Sequence, residues 1–546
     1  MTSDASATAA AVTTAQSKTK ILIIGAGAAG LQCAYSLVTE HDQNDFVILD
    51  ARDRVGGRIH TWKRPSRNTE TEEDDTSSCA RFPNVVDMGA AWVHGTEPYP
   101  VPNPMLKYIP STSLQPIAPG NPWMRPCTVM HKGLSGADAN DIKEERRLLF
   151  LYHKGQRLDT DDTIIEKALD RHFHLMYNLV PQKAQDLYNA GMGLKTAELS
   201  LKDTINELKA DFLDDADERI QALTDFYLYL MTAWYGKSPS ELQLSNFTAD
   251  GEELPGNDND CPPDWSYREE GDFRGPHCLV VGGMERLLQP LLERVGDKVN
   301  LHTQVEEIWQ EGNLVHARCK SGAVYQAEAC VLTIPINCLR QDASKIFRRT
   351  KLSEAKMEAM KYISMGDYKK VMLVFDRIFW PVDPPFLGLV RCQDNNKTDD
   401  SIGPSLLVDN LWARDGLACF EVILAGDAAR WATNRPDPEV RDAVLDFVRE
   451  SFDVDQSDLS TWCMDCHVTR WEEDPFSRGA YASLSLGALP RHMDAMMEPE
   501  WGGALVFAGD AFTHDFEGGV HAALLSGTAA ASSVNEFLSK EGGKGR

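Results

Sequence analysis

The stretch Ile21-Leu22-Ile23-Ile24-Gly25-Ala26-Gly27-Ala28-Ala29-Gly30-Leu31-Gln32-Cys33-Ala34-Tyr35-Ser36-Leu37 decides the fold. Four successive apolar residues predict a buried strand, the G-x-G-x-x-G that follows predicts a tight turn, and the apolar spacing from Leu31 to Leu37 predicts a helix. Gly25 permits the turn, Gly27 lets the backbone approach a pyrophosphate, and Gly30 lets helix and strand close together, with Ala29 in the helix turn that faces the phosphate. A second apolar run, Phe46-Val47-Ile48-Leu49, ends at Asp50, where a carboxylate can accept the ribose hydroxyls of an adenosine. This spacing predicts a dinucleotide site on an α/β unit. By itself it suits NAD as well as FAD.

The rest of the chain is too long for one core. At 546 residues, 42% hydrophobic and 25% charged, it carries ample apolar material for two large domains. The formal charge of -27 repels nucleic acid and anionic lipid and suits a polycationic substrate, although a solubility charge spread over the surface accounts for it as well. Residues 1–17 read as a disordered tail without the basic and apolar regions of a secretory signal. No run approaches the roughly 18 apolar residues of a membrane span. The expectation is a soluble, cytoplasmic protein that engages neither nucleic acid nor membrane, and the terminal Lys544-Gly545-Arg546 is no peroxisomal signal.

Twelve cysteines without a repeating spacing predict reduced thiols rather than a disulfide framework. Cys463-Met464-Asp465-Cys466-His467 fits the C-x-x-C-H pattern of haem attachment, but that chemistry needs export, so packed cysteines on a strand are the expectation. The sequons at Asn246 and Asn396 carry no weight without secretion. No metal site is expected.

Asp50-Ala51-Arg52-Asp53-Arg54-Val55-Gly56-Gly57-Arg58 resembles the E-A-x-x-x-x-G-G-R continuation of flavin-dependent amine oxidases, with Asp50 in place of the usual glutamate. The resemblance covers nearly everything after Lys20 and is nearest to the polyamine and spermine oxidases. It implies non-covalent FAD, with Gly56, Gly57 and Arg58 at the phosphates and flavin. Asp87-Met88-Gly89-Ala90-Ala91-Trp92-Val93-His94-Gly95 looks like the segment that passes the flavin ring, which places Gly89, Ala90 and Trp92 at the cofactor and His94 in the active site. Val281-Gly282-Gly283-Met284 resembles a helix entry, His302 to Ile308 the strand whose valine, Val305, meets the adenine, and Cys330 to Pro335 a strand returning to the FAD domain. Ala504 to Asp510, followed by Gly518-Gly519-Val520-His521, resembles the closing flavin motif, with Gly509, Asp510, Gly518, Gly519 and Val520 at the flavin.

By the same resemblance, Lys370 in Tyr368-Lys369-Lys370-Val371 holds a water at the flavin, and Lys369, on the opposite side of the strand, faces solvent. Tyr481 becomes one wall of a substrate cage. Ala480 stands where monoamine oxidases carry their flavin-linking cysteine, and Gly519 replaces the second cage aromatic, leaving that side open or filled by another ring such as Phe516. Carboxylates that recognise remote ammonium groups are sought among Glu252, Glu253, Asp258, Asp260 and the run Glu72 to Asp75. The implied chemistry is oxidation of an amine C–N bond by hydride transfer to the flavin, with O2 reduced to H2O2 and the imine hydrolysed to an aldehyde and an amine.

The expected architecture is an α/β, Rossmann-like FAD domain assembled from 18–110, 265–345 and 455–546, with a mixed α+β substrate domain from 111–264 and 346–454. Ile165, Leu169, Phe173, Met176 and Val180 are spaced for a helix that Pro181 stops. Competing readings are an oxidase for monoamines, amino acids or methyl-lysine, a non-catalytic flavoprotein, and an NAD-linked dehydrogenase. The histone demethylase branch lacks support here, with neither a spare domain nor sustained heptads in the chain.

Overall fold

The computed structural model describes residues 16–63, 85–96, 102–118, 149–158, 162–208, 217–247, 277–382, 384–391, 402–514 and 518–544. The opening unit folds as its pattern dictates: strand β1 (Gln16–Ile24), helix α1 (Ala28–His41), then strand β2 (Phe46–Leu49) parallel to β1. The first strand begins at Gln16, inside the stretch read as a tail, because Gln16 to Thr19 pair with Val324 to Ala327.

β1 lies at the centre of a seven-stranded sheet. Strand Val324–Leu332 runs parallel along its other side, and Leu505–Phe507 in turn runs parallel to Cys330–Leu332. The antiparallel pair Leu314–Cys319 and Val305–Glu311 completes one edge. Chain segments some 480 residues apart thus meet on one sheet, so the nucleotide unit is closed by the C-terminus. Ile21 and Ile23 join a core that includes α1 and the C-terminal helix Val520–Lys544, whereas Leu22 and Ile24 join the core on the other face. Burial on both faces explains an unbroken apolar run instead of an alternating one.

The second sheet has the order Cys463–Val468, Tyr368–Phe375, Cys419–Ala425, Ser405–Asn410, Phe386–Val390, Leu149–His153, Gln156–Arg157. Helix Asp437–Phe452 packs on one face, and helices Asp162–Phe173 and Glu218–Tyr235 on the other. Strand Cys463–Val468 lies within 455–546 but pairs with Tyr368–Phe375, so the second unit extends at least to Val468. Its Cys463 and Cys466 are half-buried free thiols, raised by burial to about 11 and about 12. Asn246 is buried, which disqualifies its sequon.

Pro181 does not stop its helix. The α-helix Asp162–Phe173 passes into a π-helical stretch, His174–Leu179, and resumes as Val180–Asn189 with Pro181 in the first turn. The wider turn, in which Val180 N donates to Leu175 O, accommodates a residue that has no N–H and crowds the preceding turn. Ile165 and Leu169 face one core, Met176 and Val180 another.

Candidate functional site

A cavity of about 1380 Å³ runs from Val305, along the glycine turn, to Tyr481 and Trp234 between the two sheets. Its construction starts at Gly27, the N-cap of α1, whose first-turn N–H groups have no intrahelical acceptor and mark a site for a diphosphate. A Cβ at Gly27 would find nothing nearer than Gly56 O at 4.0 Å and would project into free space. The second glycine pair completes this cradle: Gly56 N donates to Ala26 O (2.8 Å), and a Cβ on Gly57 would stand 3.7 Å from the Gly27 Cα. Asp50 lines the cavity at the end of β2, held by Ala26 N (2.7 Å) and Arg52 N (2.8 Å).

Every residue expected at the cofactor lines this cavity except Gly30: Gly25, Gly27, Ala29, Asp50, Ala51, Gly56, Gly57, Arg58, Gly89, Ala90, Trp92, Val305, Gly509, Asp510, Gly518, Gly519 and Val520. Gly30 lies beneath, where a Cβ would come within 1.9 Å of Gly25 O, so its part is to pack α1 onto β1. Arg58 and Asp510, from opposite ends of the sequence, form a bidentate pair at 2.6 and 2.5 Å, and Asp510 also accepts Ala482 N (2.9 Å). Burial pushes the Asp510 carboxyl up, but the Arg58 charge and its hydrogen bonds outweigh that and hold it below the ordinary carboxylate range. Glu252, Glu253, Asp258, Asp260, Glu72 to Asp75 and Phe516 lie outside the described residues.

At the other end of the cavity stand Lys370, His94 and Tyr481. Strand alternation sends Lys370 to the side of Met372 and Val374, which pack on Val86 and Met88. Its Nζ donates to Asp87 O (2.7 Å) and pairs with Glu421 (3.0 Å). Lys369 does not face solvent: it is fully buried, 2.5 Å from Glu472 Oε2, because both faces of this strand are covered. Tyr481 donates to Ala233 O (2.9 Å) and stands 5.7 Å, ring to ring, from Tyr368. The only cysteine among the described lining residues is Cys338, raised by burial to about 11.

Three residues of this wall were not singled out by sequence reasoning. His277 is hydrogen-bonded to His94, Nδ1 to Nδ1 at 2.8 Å, Trp234 packs edge-on against His94 at 5.4 Å, and His521 occupies the position in front of Gly519. His277 opens the strand that leads into Gly282-Gly283, and His521 ends the segment that resembles the closing flavin motif, but the resemblance assigns neither side chain a role. Burial lowers His94 to about 4 and His521, with the His94 charge adding, to about 3, so both rings are neutral near pH 7.

The side at Gly519 is therefore not open, since a Cβ there would lie 2.3 Å from the His521 ring. Gly519→Ala is expected to displace that ring and lower amine kcat/KM about tenfold, ~1.4 kcal/mol, with the flavin spectrum retained. His521→Ala in the same chain should restore most of the loss. Equal kinetics for Gly519→Ala and wild type would show that the ring does not form the wall.

Fold and cavity together define a dinucleotide-binding protein with a large cavity between two sheets. The chain belongs to the flavin containing amine oxidoreductase family, whose model matches residues 28–535. It is a flavin-dependent amine oxidase with FAD as cofactor. It is 25% identical over 525 residues to polyamine oxidase 4 of Oryza sativa subsp. japonica, covering 95% of this chain and 89% of that one. It is 24% identical over 518 residues to the lysine-specific histone demethylase 1 homolog 3 of Oryza sativa subsp. indica, covering 94% of this chain but only 54% of that longer protein. In fold it resembles wild-type putrescine oxidase bound to putrescine, with a TM-score of 0.62, 18% identity, and coverage of 95% and 99% of the two chains. Among the described residues no helix is long and apolar enough to cross a membrane.

Proposed function

We propose that this enzyme oxidises a C–N bond of a polyamine, spermine, spermidine or an acetylated form, with Lys370, His94 and Tyr481 at the reaction centre. The observation that carries this reading is the inner wall itself. Tyr481, Tyr368, Trp234 and the neutral rings of His94 and His521 surround the end of the cavity that Lys370 enters. Such a wall takes a deprotonated amine and its neighbouring methylenes and excludes bulk water. The charge of -27 draws a polycation to the entrance.

FAD, when bound, supplies the two-electron acceptor that O2 afterwards empties as H2O2. The protein's own part is positioning. Gly27, Ala29 and Gly57 would cradle the diphosphate, Asp50 the ribose and Val305 the adenine, while Gly518, Gly519, Val520 and Trp92 would flank the flavin. The Lys370 ammonium donates to Asp87 O and has further N–H groups with which to hold a water, and His94 presents a ring nitrogen to the amine. The oxidised product hydrolyses to an aldehyde and a shorter amine. O2 and a small amine are the reactants.

A second reading, methyl-lysine in a peptide, is favoured by the similarity to histone demethylase homologues along 94% of this chain. Both readings are tested by peroxide release from spermine, spermidine, their acetylated forms, monoamines, amino acids and a methyl-lysine peptide. Release from a polyamine alone supports the proposal; release from the peptide alone overturns it.

Lys370→Met should retain FAD and slow turnover by about tenfold or more, ~1.4 kcal/mol of barrier, in flavin reduction or reoxidation measured by stopped flow. Unchanged rates in both half-reactions would remove Lys370 from the mechanism.

A further inference from the structure

We propose that Glu421 is a positioning residue for Lys370, holding its ammonium by a buried ion pair in the orientation that faces the cavity. The inference rests on the reading of Lys370 given above. A lysine ammonium has three donors. One goes to Asp87 O at 2.7 Å, and Glu421 Oε1 stands 3.0 Å from the same nitrogen as an ion pair.

The arrangement is built into the sheet. Lys370 lies opposite Ile423, and Met372, two residues on, lies opposite Glu421, so Lys370 and Glu421 are diagonal neighbours on one face. Their side chains are 7% and 6% exposed, and a buried ammonium in such a place is stable only with a fixed counter-charge. The adjacent pair shows the contrast. Lys369 is matched by Glu472 in the same manner, but neither member reaches the cavity, so that pair only neutralises charge. Lys370 is in the lining, and its orientation bears on whatever occupies the space. The carboxylate also cancels a positive charge that would otherwise repel a cationic amine.

The test is a double-mutant cycle on the FAD-loaded enzyme with Glu421→Gln, Lys370→Met and the pair, read by kcat at saturating amine and by the visible flavin spectrum. Glu421→Gln removes the charge and keeps the shape. It is expected to lower kcat about fivefold or more and to perturb the flavin bands, and to do neither once Lys370 is already methionine. A loss of the same factor in both backgrounds, or no loss in the wild-type background, overturns the proposal. Should Glu421→Gln fail to retain FAD, Glu421→Asp takes its place under the same criteria. Unchanged kinetics of Lys370→Met alone would mean that the reading of the lysine has failed, whereas a slow Lys370→Met with additive losses at Glu421 overturns only this inference.

Discussion

Gly27→Val is expected to give a folded, colourless protein. The position has an extended backbone, φ -79° and ψ -176°, which valine adopts without strain, and no heavy atom lies within 4.0 Å of the new Cβ except Gly56 O at that distance. The side chain therefore costs the apoprotein little. It fills the space in front of the α1 N-terminus that the diphosphate requires, and the loss of that contact should abolish FAD retention. The visible spectrum after gel filtration, together with far-UV circular dichroism, decides the outcome. A yellow Gly27→Val protein would mean that the diphosphate lies elsewhere. The neighbouring glycines should behave otherwise. Gly25 has φ +111°, with Thr333 Oγ1 2.1 Å from a Cβ, and Gly30 would meet Gly25 O at 1.9 Å, so substitution at either should damage folding itself.

The second large effect is expected at Asp510. Asp510→Asn leaves the Arg58 guanidinium without its bidentate partner in a site where the two side chains are 23% and 7% exposed. Losing one member of a buried pair costs about 3–5 kcal/mol, because the remaining charge stays desolvated. The same substitution loosens the tie between Arg58, Ala480 and Ala482, residues contributed by the beginning and the end of the chain. Thermal melting should fall by several degrees and FAD should leave before the protein unfolds. An unchanged melting temperature would show that the pair contributes nothing net.

The pH dependence has a definite sign. A carboxyl held below its ordinary value stabilises the fold above the unfolded pKa, near 4, and that contribution disappears as the pH falls through the lower folded value. Asp510→Asn should therefore remove part of the acid sensitivity of the wild type below about pH 4 and leave the stability difference constant at neutral pH.

Much of this is legible in the sequence alone. Ile21 to Leu37 and Phe46 to Asp50 specify strand, turn, helix and strand by local means: apolar periods, glycines where the backbone must turn tightly, and an acid at a fixed distance. The resemblance along the chain then brought out Gly56, Gly57, Arg58, Val305, Lys370 and Asp510 as candidates, and all of them line one cavity. Motifs of this kind survive in sequence because each is a short segment with its own backbone requirement.

What the sequence could not determine depends on contacts between distant segments. The alternation that separates Lys369 from Lys370 was visible, but that Lys369 is buried on Glu472 follows from a second layer covering the far face of the strand. Pro181 reads as a stop by the local rule, yet a π-helical turn before it accommodates the missing donor, and Met176 within that turn and Val180 just after it pack into one core with Leu201, Leu242 and Leu244. The three glycines of the first motif look alike as letters, and only their neighbours distinguish the cradle at Gly27 from the packing contacts at Gly25 and Gly30. Likewise, His94, His277 and His521 come from three separate segments: pairing of strand Trp92–Val93 with strand His277–Val280 brings the first two together, and burial in the cavity wall leaves His94 and His521 neutral and closes the space at Gly519. Local patterns in the sequence specify the nucleotide fold, because that depends on local backbone geometry, and the resemblance of motifs along the chain points to the chemical class; the shape and charge of the substrate wall come from the tertiary structure, because burial and long-range contact create them.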